Sequence, residues 1–487
     1  MSAPIKASGL SRPYSLTGLA GPVAFGAGLL LLAFAPIIRG GNRHVAMVLL
    51  EWLGLLVLLL LAAQWAGATR APGRGAAPRP VENPSVSAAV LFLGLAPLWT
   101  ALVQLTPLPA SLWAALPGRE LYVQALLVAQ APAAAFRPLS LVPDATWVSV
   151  LAGIPLTAAF LLAHTCTHRQ LSVLARALVV FALAQAVLGL LQKGPFPGLS
   201  FDAVYGAGKA IGSFANPNHF ANYITMTVPL ALLMLRQGSA SARARGPTQG
   251  SRLPVGVLWG VALFILLAAV LASNSRAGAI TCLVVTVLAV LLLPMRRSHA
   301  PARHWRLAGV AALLLLVAAA VGMDALMSRF DNDPNGYLAG DRWMMVTSTW
   351  RAAQTFWPVG SGLGSFAAVY PGFQPAGLQG FVNHAHNDYV QLLMECGLLA
   401  VVLAGVAVAL VARQAARLVR RARAEGLDAP ALLQASCGLG LLAVLLHSWV
   451  DFNLRIPSNA LSAAFLLGAF LRPLARRAPD HRPGDGA

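Results

Sequence analysis

Residues 45–67 read VAMVLLEWLGLLVLLLLAAQWAG, 23 consecutive positions that are almost wholly apolar. An α-helix needs about 20 such residues to cross the hydrocarbon of a bilayer. The same template fits near 18–38, 85–105, 144–164, 171–192, 219–235, 254–272, 277–294, 307–323, 389–412, 429–450 and 457–471, which predicts about twelve membrane helices. Composition agrees. Of 487 residues, 57% are hydrophobic and 10% charged, with a mean hydropathy of +0.69, against about 25% charged in soluble domains. The chain therefore reads as an all-α polytopic membrane protein, a single integral-membrane domain over 1–487 with no internal repeat. Its first span lacks a small-residue cleavage site followed by soluble sequence, so it reads as a retained helix.

Orientation follows from the arginines, because basic residues stay cytoplasmic where loops are short. With the N-terminus inside, 24 of the 35 lysines and arginines fall on the cytoplasmic side and 11 outside. Arg39 and Arg43 run against the trend. Both termini are then cytoplasmic. The net charge of +19 reflects topology and contact with anionic lipid, so no nucleic-acid partner is expected. Cys166, Cys282, Cys396 and Cys437 lie in or beside spans without paired spacing and read as packing residues.

Three polar segments face outward in this topology: 106–143, 193–218 and 324–388, the last a large periplasmic loop before helix 10. Nucleoside triphosphates and nucleotide sugars are cytoplasmic, which excludes them as substrates of an outward site. In 106–143 the stretch from Trp113 to Leu127 reads as an interfacial helix without catalytic content. The aromatics of 324–388, among them Trp343, Trp350, Phe366 and Tyr370, argue against disorder and predict short helices lying on the outer surface. Asp331-x-Asp333-x-Asn335-Gly336 begins like a calcium loop, but position 342 is arginine where a bidentate glutamate is required. Gly360-Ser361-Gly362-Leu363-Gly364 resembles a phosphate cradle but follows no strand; it reads as a turn of close backbone approach.

The densest polar cluster is Asn383-His384-Ala385-His386-Asn387-Asp388-Tyr389-Val390-Gln391, at the junction of that loop with an apolar run. Ionisable groups beside hydrocarbon are costly and mark functional sites. Asn387, Gln391 and Glu395 follow at i, i+4 and i+8, a polar stripe on one helix face. His447 and Asp451 sit one turn apart at the end of the eleventh span, where they either complete the site or pair with each other. Asn216 and Asn218 flank Pro217 at a helix entrance and read as caps.

From His386-Asn387-Asp388-Tyr389 to Glu395-Cys396-Gly397-Leu398-Leu399, the chain resembles the H-N-x-aromatic…E-x-G-L signature of the bacterial O-antigen ligase and polymerase family. Arg342…Trp350…Pro358-x-Gly360-x-Gly362-x-Gly364-x-Phe366 is similar to that family's outer loop. Gly212-Ser213-Phe214-Ala215-Asn216-Pro217-Asn218-His219-Phe220-Ala221, Ser275-Arg276-Ala277-Gly278 and Asp451-Phe452-x-Leu454-Arg455-Ile456-Pro457 resemble further segments. Together they cover about residues 200–460, in the family's order.

The resemblance implies a GT-C-type glycosyltransferase in the bacterial inner membrane, with its active site facing the periplasm. The donor would be an undecaprenyl-diphosphate-linked glycan and the acceptor a glycan or lipid A-core sugar. Transfer would invert the anomeric carbon without a metal ion or other cofactor. His386 takes the position of the catalytic base, which suits an imidazole of pKa about 6.5. Arg276 and Arg342 are the expected diphosphate ligands, since a guanidinium fork matches phosphate oxygens. His384, Asn387, Asp388, Asp451 and Arg455 are further candidates for substrate contact; His384 alternatively caps the helix entrance. Glu395 is read as interhelical hydrogen-bonding glue. Ligase and polymerase share this donor chemistry, and the sequence does not separate them. The alternative class is a transporter of a small or anionic solute, which would place polar groups at the bilayer midplane on broken helices, often in repeats.

Overall fold

A computed structural model describes residues 16–69, 86–132, 134–199, 208–245, 255–293 and 337–474. The span expected at 307–323 and the Asp331–Gly336 turn lie outside the described residues. The described chain is mostly helical. Its long elements are α1 (Leu16–Phe34), α2 (His44–Thr69), α7 (Pro143–Thr165), α8 (His168–Lys193), α9 (Pro217–Arg245), α10 (Val255–Ala272), α11 (Arg276–Leu292), α12 (Tyr337–Thr355), α15 (Leu398–Ala424), α16 (Ala429–His447) and α17 (Pro457–Phe470). Shorter helices are α3 (Ala88–Gly94), α4 (Ala96–Gln104), α5 (Ala110–Ala114), α6 (Glu120–Val128), α13 (Phe366–Val369) and α14 (Asp388–Cys396).

Six described helices are long and apolar enough to cross a membrane, namely α2, α7, α8, α10, α15 and α16. Three shorter apolar helices, within α1, α11 and α17, accompany them. Two expected continuous spans are broken. The 85–105 span divides into α3 and α4 at Leu95, just before Pro97. The 389–412 span divides at Gly397, whose φ of 53° belongs to the left-handed region. A Cβ there would fall on the Pro358 carbonyl, so the break requires glycine.

Helix α9 is the hub of the bundle, packing on α8, α10, α11 and α16, while α7 packs on α2, α4 and α17. Small residues permit these approaches, as is common where helices meet in a membrane. A Cβ on Gly54 would lie 2.7 Å from Pro155 Cα, and one on Gly153 would lie 2.8 Å from the Pro97 carbonyl. The four cysteines are buried and free.

A second, smaller core sits outside the bundle. Ala352, Phe356, Phe366, Val369, Tyr370, Val382 and Met394 bury one another there. Helix α12 packs against α14 in this layer, and the Ser348 and Tyr370 hydroxyls lie 2.8 Å apart. The 106–143 segment differs from the single interfacial helix expected. It forms a two-stranded antiparallel ribbon, β1 (Pro107–Pro109) with β2 (Phe136–Pro138), enclosing α5 and α6. Prolines 107, 109 and 138 keep these strands short, since each removes a backbone donor.

The basic residues of α15, from Arg413 to Arg423, lie towards the end of that helix remote from α14. Arg472 at the same remote end is more than a topology marker. It is buried, its Nη1 donates to the carbonyls of Ala163 (2.8 Å) and His164 (2.9 Å), and its own carbonyl accepts from Gln414 and Gln434. This clamp ties α7, α15 and α16 to the end of α17.

Candidate active site

The site forms where α9 and α14 begin and where α16 gives way to the turn leading into α17. Asp451 lies in that turn and is fully buried. Its Oδ2 accepts from Asn218 Nδ2 at 2.8 Å, and its own carboxylate caps the Phe452 amide through Oδ1 at 2.9 Å. Oδ1 also faces two imidazoles, His386 Nδ1 at 3.3 Å and His219 Nε2 at 3.5 Å. Both nitrogens stand at ion-pair distance but off hydrogen-bond alignment, so the interaction is mainly electrostatic. Burial by itself raises the Asp451 carboxyl; the two imidazoles outweigh it and hold the group well below the usual carboxylate range.

Phe452 organises the histidines. Its ring centroid lies 4.3 Å from that of His384, 4.6 Å from His219 and 4.8 Å from His386. His384 shares that aromatic ring with the two imidazoles that face Asp451. Its Nδ1 meets Gln391 Nε2 at 3.3 Å. Burial, with the positive charge of Arg455 behind it, pushes its pKa down to about 3, so it is neutral. The helix entrance is capped by Asn387 instead, whose Oδ1 accepts from the amides of Tyr389 and Val390, both at 3.1 Å, while Nδ2 donates to the Trp449 carbonyl at 2.9 Å. Asn387 thus leaves the stripe expected with Gln391 and Glu395; those two do join, at 3.1 Å. His386 itself has φ of 50°, a left-handed conformation uncommon outside glycine and enriched at functional sites.

Helix α14 is held from its far end. The last carbonyls of a helix have no partner within it, and here the glycine turn supplies them. Ser361 N donates to Met394 O at 3.0 Å, and Gly362 N to Glu395 O at 2.9 Å. Gln104, buried at the end of α4, joins the same carbonyl at 2.8 Å and accepts from Leu363 N at 2.7 Å. Gly360, Gly362 and Gly364 all have positive φ. A Cβ on Gly360 would strike the Glu395 carbonyl, one on Gly362 the Ser140 hydroxyl, and one on Gly364 would lie 2.7 Å from Ser149 Oγ. The glycine motif is thus a socket for α14.

Glu395 is fully buried and pairs with Arg455 at 2.7 Å. That charge partner, not neutral helix-to-helix hydrogen bonding, is what its position in the sequence concealed. The pair holds the Arg455 guanidinium above its ordinary range despite burial. Asp388 Oδ2 accepts from Leu454 N at 3.0 Å, whereas its buried Oδ1 has no partner among the described residues. Burial, partly offset by that amide, raises its pKa to about 6. His447 is buried but forms no pair with Asp451; neither of its ring nitrogens has a hydrogen-bond partner among the described residues.

The two other arginines stand at the rim. Arg342, on α12, donates from Nη1 to the Val450 carbonyl at 3.4 Å, one residue from Asp451. Arg276 is exposed as the first residue of α11, after the cap Ser275. That end of α11 presses on α9, since a Cβ on Gly278 would lie 2.6 Å from Ala221 Cβ, half a turn beyond His219. Every residue expected to bind or react therefore sits at one end of the bundle.

Two participants were not expected. Asn216 is a cap, accepting from Asn218 N at 2.8 Å, but Asn218 is a ligand of Asp451. His219 is the second imidazole on that carboxylate. The signal for His219 was the one that exposed His386, an ionisable side chain at the mouth of an apolar helix.

Residues 261–405 match the family model described as O-antigen ligase. No curated protein matched the chain. The matched segment contains Arg276, Arg342, the glycine socket and the entire His384–Glu395 stretch. Over those residues the chain is similar to the O-antigen ligase family.

Proposed function

We propose that this protein is a GT-C-type membrane glycosyltransferase that moves or polymerises glycan from an undecaprenyl-diphosphate donor onto an acceptor hydroxyl. The observation that carries this reading is the His386–Asp451 contact at 3.3 Å. A carboxylate facing Nδ1 favours the tautomer with the proton there, leaving the Nε2 lone pair to receive a proton. The acceptor O–H gives its proton to that nitrogen while its oxygen attacks the anomeric carbon. The bond to the diphosphate breaks from the opposite face, its electron pair leaving with the phosphate, and the configuration inverts.

Charge then grows on the diphosphate and needs preorganised cations. In this reading Arg342 and Arg276 supply them, the latter with the partial positive charge of the α11 N-terminus beside it. Grouped acids, which would be expected if Mg²⁺ were to do this work, are not found: among the described residues no three of His, Cys, Asp or Glu are arranged to hold an ion. The site faces the periplasm in this reading, because the basic helix ends lie at the other end of the bundle. Transport is disfavoured, since the polar groups gather at helix ends and not at a midplane.

The test is release of polyprenyl diphosphate by purified protein given lipid-diphosphate glycan and candidate acceptors, with and without EDTA. Turnover that persists in EDTA and falls in His386→Ala and Arg276→Ala supports the reading. Loss of turnover on chelation refutes the metal-free mechanism, and unchanged His386→Ala refutes the base assignment.

A further inference from the structure

Helix α12 has two unlike faces. Met344, Met345, Ala352 and Phe356 turn into the small outer core. The other face is open, and its large apolar members are tryptophans. Trp343 is 69% exposed and Trp350 48%, and Trp357, at 43%, stands in the turn that follows the helix. Positions seven apart share one face of an α-helix, about 10 Å apart along its axis. Thr347, Arg351 and Gln354 lie between and beside the indoles. The Arg351 and Gln354 side chains have no hydrogen-bond or ion-pair partner among the described residues. Thr347 Oγ1 donates to the Trp343 carbonyl at 2.9 Å, which leaves its lone pairs to accept.

This face is continuous with the site. Arg342, next to Trp343, donates to the Val450 carbonyl. The residue before, Trp449, is 61% exposed, stacks at 4.9 Å on Tyr389 and accepts from Asn387 through its carbonyl. The indoles of α12 therefore lead away from the Asp451 turn. Lipid does not suit them. Helices long and apolar enough to span the membrane expose aliphatic side chains, such as Val45, Leu49 and Leu59 on α2 and Val401 and Val408 on α15. Between 341 and 355, α12 exposes no leucine, isoleucine or valine, although helices lying in the interface bury leucine and phenylalanine along with tryptophan. An exposed apolar patch rimmed by polar groups marks a binding surface. Flat indoles interleaved with a hydroxyl, an amide and a guanidinium match a ligand with flat C–H faces and hydroxyl edges, which is a chain of pyranose rings. Their separation along the helix, about 10 Å, is close to the length of two linked rings.

We propose that the open face of α12 is a rail for the donor glycan. The diphosphate lies at Arg342 with the reducing-end sugar beside it, and the chain runs outward over Trp343 and Trp350 towards Trp357. Sugar faces stack on the indoles while their hydroxyls meet Thr347 and Gln354. This rests on the transferase reading and deepens it, because it makes the enzyme selective for glycan length. Sugars remote from the reacting carbon are held equally before and during reaction, so the rail lowers KM for long donors and leaves kcat alone.

Direct binding tests the rail without requiring turnover. Glycans cleaved by mild acid from the producing cell's own lipid-linked donor are fractionated by length and titrated calorimetrically against the full-length protein in nanodiscs. Affinity is expected to rise about tenfold or more from a single sugar to chains that bridge Trp343 and Trp350. Trp343→Ala with Trp350→Ala should remove that gain, and Trp350→Phe, which keeps a ring, should retain most of it. With intact donors the double variant should raise KM about tenfold for long glycans, with kcat and the single-sugar donor unchanged. A nitroxide on Gln354→Cys reports what covers the face, since the four native cysteines are buried. Collision with a water-soluble nickel chelate is expected. Preferential collision with oxygen, the signature of lipid, overturns the proposal. So does binding independent of length, or a double variant, folded by thermal melting, that binds long chains as the wild type does. Length-dependent binding lost in the double variant, in a protein that never releases polyprenyl diphosphate, sustains the rail as a glycan site and refutes only the transferase reading.

Discussion

Asp451→Asn isolates the chemistry of the site with almost no change of shape. In the wild type one carboxylate oxygen faces His386 Nδ1 at 3.3 Å and His219 Nε2 at 3.5 Å, while the other accepts from Asn218 at 2.8 Å. The Phe452 backbone amide donates to Oδ1 at 2.9 Å and cannot turn, so the asparagine keeps its carbonyl there and its NH₂ faces Asn218, whose side-chain amide flips to accept. A neutral carbonyl holds the proton on His386 Nδ1 less strongly than the carboxylate does, and the charge that stabilises the imidazolium is lost. At 3.3 Å and an effective dielectric of about 20, a carboxylate stabilises an imidazolium by roughly 5 kcal/mol. The His386 side chain is 21% exposed, so solvent screens part of this. General-base catalysis as a whole is worth about 10²–10⁴-fold, which places the expected fall in kcat at about 10²–10³-fold, or roughly 3–4 kcal/mol. The assay is single-turnover release of polyprenyl diphosphate at saturating donor and acceptor, with thermal melting as the control for folding. A folded Asp451→Asn enzyme that keeps kcat within about threefold of wild type would refute the reasoning.

Three further outcomes follow from the same geometry. Glu395→Gln leaves the Arg455 charge buried without its partner and is expected to cost about 3–5 kcal/mol of stability; Glu395→Gln with Arg455→Met should recover much of it in chemical denaturation. Gly397→Ala puts a methyl on the Pro358 carbonyl at positive φ, which predicts a loss of about 2–4 kcal/mol, read as a lowered melting midpoint together with lost turnover. The third concerns acid. His384 has its pKa lowered to about 3 from 6.5, so between those values the unfolded chain binds more protons and stability falls as pH falls. Asp388 is raised from 3.8 to about 6; there the folded chain binds more protons, and stability rises as pH falls from 6 towards 3.8. The two slopes oppose each other, so Asp388→Asn should steepen acid destabilisation and His384→Asn should flatten or reverse it. Midpoints of detergent-solubilised protein from pH 4 to 7 check this, and parallel shifts in both variants would contradict it.

Much of the architecture was legible because hydropathy is local. A run such as 45–67 must be a helix in lipid, since each backbone group needs a partner within the segment. The breaks at Leu95 and Gly397 were not legible, because apolar composition continues through both. What breaks the second is the distant Pro358 carbonyl, which only the fold brings to Gly397. The glycine turn was readable as a place of close approach, but the thing approached, the last carbonyls of α14, lies 33 residues further on.

The sequence by itself determined the class of protein, the family resemblance and the choice of His386, because local pattern and motif order carry those. Tertiary structure alone decided that His219, His384 and His386 surround Phe452, that Asn218 joins Asp451 across 233 positions, and that Glu395 meets Arg455. The physical reason is that helix packing brings such pairs together. A buried charge must find its partner wherever the bundle places one, and nothing in the spacing along the chain records where that will be.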